Sequence, residues 1–308
     1  MTEHWQDPPL AVVSSLLRSM LIASPGHRLV AGDFSQVEAR VLGWLAGELF
    51  GDLEYERMAA AIYRVPLADV TPEQRQVGKF IVLGCGFQMG ADRFATQFQE
   101  QTGVVLDRGE RDEEGNLLPG EVDEADHAVR TYRETKAGIP DFWYGLQRAA
   151  MDATRNPGMV MHCGALGNIR YVVRGQFLWC VLPSGRPLAY ALPRIEDRET
   201  SWGEMRPTLT YMGMDTYTRK WQRLSTYGGH LTENVVQATA RDLMAEAMLR
   251  LEDHGYPVVL TVHDEVVADV PNGHGSLDEF LTIMRKSPTW ADGLTLEVEG
   301  WEGERYRK

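Results

Sequence analysis

The run Val259–Val270, VLTVHDEVVADV, sets two adjacent carboxylates inside an otherwise β-branched and apolar stretch. Val, Leu and Thr before the acids and three valines after them read as strand. Such a strand is usually buried on at least one face. Asp264 and Glu265 then fall at a kink or hairpin between two apolar arms. A buried carboxylate without partners costs on the order of several kcal/mol. A divalent cation is the simplest compensation. A hairpin that simply carries His-Asp-Glu at its turn accounts for this stretch, taken alone, equally well.

A matching stretch lies far upstream. Arg28–Asp33, RLVAGD, is a short apolar strand ending in an acid. Val37, Val41, Leu42, Trp44 and Leu45 follow at helical spacing, so a helix runs to about Ala46. Two carboxylates, Asp33 and Asp264, delivered by separate strands to one edge of a sheet can hold a pair of Mg²⁺ ions. Such ions activate an attacking oxygen and neutralise a leaving one.

Composition limits the alternatives. The 308 residues suffice for two subdomains or one large domain, and 44% hydrophobic content supports a real core. No apolar run of about 18 residues appears, so no membrane span is expected. The opening MTEHWQDPPL is unlike a signal peptide. Cys85, Cys163 and Cys180 are scattered with no C-x-x-C, which fits reduced core thiols in a cytoplasmic protein. The net charge of −13 opposes broad electrostatic binding of nucleic acid. The charge is uneven, however. Residues 107–126 are markedly acidic, whereas Thr218–Arg223, TRKWQR, and the surroundings of Arg170, Arg174 and Arg186 are basic, so a local basic groove is compatible with the sequence.

Along the chain, residues 10–23 have helical spacing and a helix is expected from Leu53 to Ile62. Thr71-Pro72-Glu73-Gln74 is a strong helix start, with Thr71 as N-cap, Pro72 at the first position and Gln74 placed for a capping box. The helix that follows carries Arg75, Lys79, Leu83 and Phe87 at intervals of four, hence on one face. Two cations and a ring could grip a nucleoside triphosphate. An amphipathic core helix with Arg and Lys at its rim has the same spacing. Residues 107–126 read as a solvated insertion. Helices are expected over 128–132 and 139–153, with Phe142, Trp143 and Leu146 in the core. A small antiparallel β region over 159–190 turns at Pro183-Ser184-Gly185. A long helix runs from about Leu231 to His254, with Gln237 and Arg241 four apart beside its apolar stripe. A short helix, a strand and a loop close the chain.

Three separated stretches agree with one another. Asp33-Phe34-Ser35-Gln36-Val37-Glu38, then Arg75-x-x-x-Lys79 with Phe87, then Val262-His263-Asp264-Glu265 resemble motifs A, B and C of family A DNA polymerases, the bacterial polymerase I type. Trp44-Leu45-Ala46-Gly47-Glu48, Leu182-Pro183-Ser184-Gly185-Arg186 and Glu233-Asn234-Val235-Val236-Gln237-Ala238 resemble the phage branch. The likeness covers the chain from about Leu16 to its end.

The resemblance implies an α+β right-hand fold. Its palm is an antiparallel sheet with helices and its fingers are mostly helical. Residues 1–51 and 226–308 would form the palm, and 52–225 the fingers with a small β region. Asp33, the Phe34 backbone carbonyl and Asp264 would bind two Mg²⁺ ions, with Mn²⁺ able to substitute. Glu265 would lie near the primer end. Arg75 and Lys79 would hold the triphosphate, Lys79 acting in catalysis as well, and Leu83, Phe87 and Gln36 would complete the dNTP site. Glu38 would crowd the sugar 2′ position and so favour dNTP over rNTP. Gln237, His263 and Arg241 would contact DNA, and minor-groove acceptors shared by all correct pairs make such contacts a test of pair shape.

The sequence also departs from the family. Leu83 stands where an aromatic residue is usual, Phe87 where tyrosine is, and Gln88 where glycine is common. Only 32 residues precede Asp33, so thumb and exonuclease domains are expected to be absent from this chain. A second polypeptide is expected to supply them. The expected activity is DNA-directed DNA synthesis on primer-template DNA, in the cytoplasm or nucleoid of a bacterial host if phage-encoded. A non-catalytic DNA-binding or assembly subunit that keeps the fold is the alternative. Single-subunit RNA synthesis shares the two-aspartate palm, but Glu38 argues against it.

Overall fold

The computed structural model describes residues 20–48, 50–51, 53–199 and 203–307. The helix expected over 10–23 lies largely outside them. In chain order the elements are β1 (His27–Phe34), α1 (Val37–Ala46), α2 (Glu54–Tyr63), α3 (Pro72–Cys85), α4 (Ala91–Thr102), α5 (Glu124–Thr135) and α6 (Gly138–Arg155). Then come β2 (Met161–Cys163), β3 (Ile169–Arg174), β4 (Phe177–Val181), β5 (Pro187–Glu199), β6 (Met205–Met214) and β7 (Trp221–Thr226). The last are α7 (Gly228–Asp253), β8 (Val258–Val262), β9 (Glu265–Pro271), α8 (Leu277–Arg285) and β10 (Val298–Gly303). The class is α+β, as the sequence implies. By internal contact the chain divides into residues 1–37 with 240–308, and residues 38–239.

The first unit is built on a four-stranded antiparallel sheet in the order β10-β1-β9-β8. Central β1 is buried through Leu29, Val30 and Ala31. Leu29 and Ala31 pack with Val267 and Tyr306 on one face. Helix α8 lies close over the other face. A Cβ on Gly300 would stand 2.3 Å from the Ala31 carbonyl oxygen and 2.7 Å from Leu281 Cδ2, so only glycine allows this approach. Ser276 caps α8 by accepting from the Glu279 amide at 3.1 Å. Arg250 and Glu246 on α7 tie to Lys286 O at 2.7 Å and Trp290 Nε1 at 2.6 Å.

The second unit joins α1 from Glu38 onward, α2–α6 and the first part of α7 to a six-stranded antiparallel meander, β2 to β7 in sequence order. Helix α3 starts as its sequence requires. The Thr71 amide donates to Gln74 Oε1 at 3.0 Å and the Gln74 amide to Thr71 Oγ1 at 3.3 Å, a complete capping box. It stops at Cys85, however, and Phe87 lies in the turn beyond, its amide donating to Gly84 O at 3.2 Å. Gly84 weakens the last turn by roughly 1 kcal/mol relative to alanine and Gly86 stands at the C-cap, so the four-residue spacing overshoots the helix. Phe142, Trp143 and Leu146 of α6 are buried as expected.

The β region is larger than the expected 159–190. Strands β5 and β6 form a long ribbon, and β7 adds the segment Trp221–Thr226. A register shift between Ala191 and Arg194 and a positive φ of 49° at Leu192 interrupt the alternation there. That interruption hides the strand from a period-two reading. The acidic segment 107–122 is mostly exposed loop with one isolated bridge, Arg111 to Leu117. It is anchored by Asp123, which is buried and pairs with both Arg108 and Arg111 at 2.9 Å.

Candidate active site

In the four-stranded sheet, register alone gathers the acidic groups. Asp33, near the end of β1, lies directly across from Glu265 of β9 and Glu299 of β10. Cross-strand partners share a face, so all three lie in one row on one side of the sheet. Strands β8 and β9 form a hairpin closed by Val262 and Glu265, with His263 and Asp264 as its two-residue turn. The Phe34 amide donates to the Asp264 carbonyl at 3.3 Å, which fixes that turn beside the end of β1. The expected hairpin is therefore present, with Glu265 inside its second strand.

Environment then separates the acids. Asp33 and Asp264 are partly exposed, whereas Glu265 is buried at 2% exposure and accepts from the Tyr306 hydroxyl. The exposed His263 lies with Nδ1 2.9 Å from Asp264 Oδ1. His263 has φ 58° and Gln36, in the turn after β1, has φ 54°. Left-handed non-glycine residues cost on the order of 1–3 kcal/mol and gather at functional sites. Here one precedes Asp264 directly and the other follows Asp33 by three residues.

Among the described residues no group of three or more His, Cys, Asp or Glu side chains forms a metal cage. Two partly exposed carboxylates with an all-oxygen donor set still fit Mg²⁺, which commonly takes one or two protein carboxylates and completes its shell with water and substrate phosphates. They fall short of zinc, which takes at least three protein ligands, usually including His or Cys.

In the second unit, Lys79, Leu83 and Phe87 line one cavity of about 750 Å³ with Phe80, Arg93 and Tyr227. The spacing that put them on one face of α3 thus has a hollow to match. Leu83 is 38% exposed there. Arg75 is outside this lining. Its Nε donates to Glu56 Oε1 at 2.6 Å and its guanidinium lies over the Tyr55 ring at 5.5 Å. Gln88 has φ 67°, and its Oε1 accepts from the Gly229 amide at 2.8 Å at the start of α7. A glutamine where glycine is common therefore fastens the end of the α3 turn to that helix.

No protein-family model matches the chain. The DNA polymerase of Bacillus phage SP02 is 38% identical over 309 aligned residues, which cover 96% of this chain and 44% of the phage protein. The chain is thus similar to this phage DNA polymerase along nearly its whole length. DNA polymerase I of Pseudomonas aeruginosa is 32% identical over 102 residues, 30% of this chain and 11% of that enzyme. Among solved structures, the polymerase domain of Pol1 from M. smegmatis, in complex with DNA primer-template and dNTP, has the same fold with a TM-score of 0.54. The match is 19% identical and covers 94% of this chain and 42% of that one. The chain spans less than half the length of the phage polymerase.

The other candidate residues fall as follows. Glu38 is partly exposed in the first turn of α1, where its charge suits the helix N-terminus. Gln237 and Arg241 are both exposed on α7, and Arg241 leans on Met244 Sδ at 3.1 Å. Sequence reasoning missed Tyr306, Glu56 and the role of Gln88. Each acts through a tertiary contact that no local pattern announces. The three cysteines are free, and burial pushes the Cys85 and Cys180 thiols up to about 12, so neither supplies a thiolate nucleophile. Among the described residues no helix is long and apolar enough to cross a membrane.

Proposed function

We propose that the chain carries the nucleotidyl-transfer site of a DNA-directed DNA polymerase. One observation supports this most. Strand register and a two-residue turn bring Asp33 and Asp264 to one end of one sheet, partly exposed, beside a buried Glu265. The substrates are primer-template DNA and dNTPs.

Asp33, Asp264 and the Phe34 carbonyl would hold two Mg²⁺ ions (or Mn²⁺), which when bound make the primer 3′-OH a better nucleophile and offset charge on the leaving pyrophosphate. Lys79 and Arg75 donate to the triphosphate oxygens, and the Phe87 ring stacks on the incoming base. Glu38 and Gln36 border the sugar, where the Glu38 carboxylate disfavours a 2′-OH. Leu83 offers the sugar an aliphatic wall in place of a ring. Gln237, His263 and Arg241 donate to minor-groove acceptors. Glu265, held by Tyr306, is a positioning acid next to Asp264.

A second polypeptide supplies further duplex-holding surface in this reading, and the net charge of −13 supports it, because phosphate contacts dominate affinity for duplex. The reaction takes place in the cytoplasm or nucleoid of a bacterial host. Affinity capture from that host would return such a protein; a chain already processive by itself would remove the need for one.

The decisive assay is primer extension by the purified chain with Mg²⁺ and dNTPs, beside Asp33→Asn and Asp264→Asn. Extension by the wild type, reduced to background in both variants with melting temperatures unchanged, is the expected outcome. Wild-type activity that survives either substitution sinks the assignment. No extension, even with added host extract, favours a non-catalytic subunit.

A further inference from the structure

The basic and aromatic segments noted in the sequence are not used by the site above. They converge on the six-stranded sheet. One face of that sheet is closed, with Tyr171, Leu178, Cys180 and Tyr190 buried and α6 packed against β2–β5. The other face is open. Cross-strand pairing assigns residues to it: Arg174 lies opposite Phe177, Phe177 opposite Ala191, Ala191 opposite Met212, and Met212 opposite Arg223. On the same face, Trp179 on β4 and Trp221 on β7 stand two residues along from this row, Arg170 stands four along on β3, and Arg194 on β5 lies opposite Thr210, two residues from Met212.

Three features distinguish this face from an ordinary solvated one. First, Arg170, Arg174 and Arg194 are exposed and none of their guanidiniums has a hydrogen-bond or ion-pair partner among the described residues. Elsewhere on the face, Glu196 is already engaged by Arg198 at 2.9 Å and Arg223 at 3.7 Å. Second, the free cations alternate with rings. Phe177 is 39% exposed and forms a tilted pair with Trp179, centroids 5.4 Å apart, while Trp221 is 60% exposed. Third, this occurs on a chain of net charge −13, so the patch is not a local sample of a basic surface.

We propose that this open sheet face is a docking surface for single-stranded DNA, separate from the nucleotide cavity on α3. The unpaired guanidiniums take phosphates and the rings stack on bases, the combination that single-strand-binding surfaces use. Five strands at about 4.8 Å spacing give a platform on the order of 20 Å wide. Interleaved rings favour bases over the carboxylates of an acidic protein. The choice of DNA over RNA rests on the polymerase reading; the surface itself does not.

The test uses the full chain and a labelled oligo-dT, with anisotropy read across a salt series. The variants are the double substitution Arg174→Gln with Arg194→Gln, and separately Phe177→Leu, each with its melting temperature. Each phosphate contact on a single strand contributes about 0.7 to the slope of log K against log salt. The double variant should lower that slope by roughly 1.4, which is on the order of 25-fold weaker binding near 0.1 M salt. Phe177→Leu should weaken binding with the slope unchanged. An iododeoxyuridine oligonucleotide should crosslink within Phe177–Trp179.

Unchanged affinity and slope in the folded double variant would overturn the proposal and leave the face to an acidic protein partner. Crosslinks confined to other elements would overturn it too. Oligo-rU or duplex bound as tightly, and lost in the same variant, would overturn the assignment to single-stranded DNA. Asp33→Asn should bind oligo-dT as the wild type does, so failure of primer extension and failure of this surface are read separately.

Discussion

In the sheet of β10, β1, β9 and β8 the acidic groups are placed by backbone register, whereas on α3 a key cation is placed by a side chain that already has a partner. Asp33 cannot leave its position opposite Glu265 without breaking the ladder on both sides of β1. Arg75 can leave Glu56 by rotating a few side-chain torsions. The difference suits the two tasks in the proposed reaction. Groups that would hold metal need a fixed frame, while groups that would grip a nucleotide must exchange partners each time one arrives and leaves.

The sharpest way to break this comparison is a pair of glycine substitutions. Gly300→Ala would drive a Cβ to 2.3 Å from the backbone oxygen of Ala31, which cannot yield without shifting β1. A loss of about 1–3 kcal/mol is expected from overpacking, read as a lower denaturant midpoint. On α3, Gly84→Ala meets only Met89 Cε and Sδ, at 3.0 and 3.1 Å, the far end of a flexible side chain. Helix propensity then favours the variant by up to about 1 kcal/mol. Equal destabilisation by both would show that the two regions are equally rigid.

These positions also show what was legible in the sequence. The strand-acid-helix at Asp33, the hairpin at His-Asp-Glu and the Thr71 capping box are local patterns, and each formed, although the turn is His263-Asp264 alone and Glu265 belongs to the strand. Spacing grouped Arg75, Lys79, Leu83 and Phe87 on one face; the last three line one cavity, Arg75 lies outside it, and Phe87 lies past the helix end. The pairing of Asp33 with Glu265 spans more than 200 residues of chain, and only the likeness between motifs hinted at it. The Tyr306 hydroxyl on Glu265, the Glu56 carboxylate on Arg75 and the β6–β7 extension were not legible. The first two are contacts between side chains from different elements. The third is masked by the irregularity near Leu192 and by exposed polar residues along both strands.

A smaller effect should sharpen the contrast on the α3 side. Glu56 is partly buried at 21% side-chain exposure and Arg75 is 44% exposed, so the pair itself is worth at most about 1 kcal/mol. In Glu56→Gln the guanidinium loses its carboxylate and is freer to meet a triphosphate. The apparent KM for dNTP should fall by about two- to five-fold, the equivalent of roughly 0.5–1 kcal/mol, with kcat nearly constant. An unchanged KM would mean that Arg75 serves only to hold α3 to α2.

The smallest expected effect concerns another side-chain-held element, the acidic segment before α5. Burial alone would raise the Asp123 carboxyl, but the Asp126 amide and the guanidiniums of Arg108 and Arg111 outweigh it and hold it below the usual aspartate range. The folded state therefore resists protonation more than the unfolded chain does. The stabilisation is fully present above the unfolded value of about 3.9 and is lost as pH falls through the lower folded value. Amides of 107–122 should begin to exchange faster below about pH 4, while those of the β1–β9 ladder, paired through backbone alone, stay protected longer. Asp123→Asn should reproduce the faster exchange at neutral pH. If the segment exchanges at the same rate in that variant as in the wild type, the arginine clamp is not what orders it.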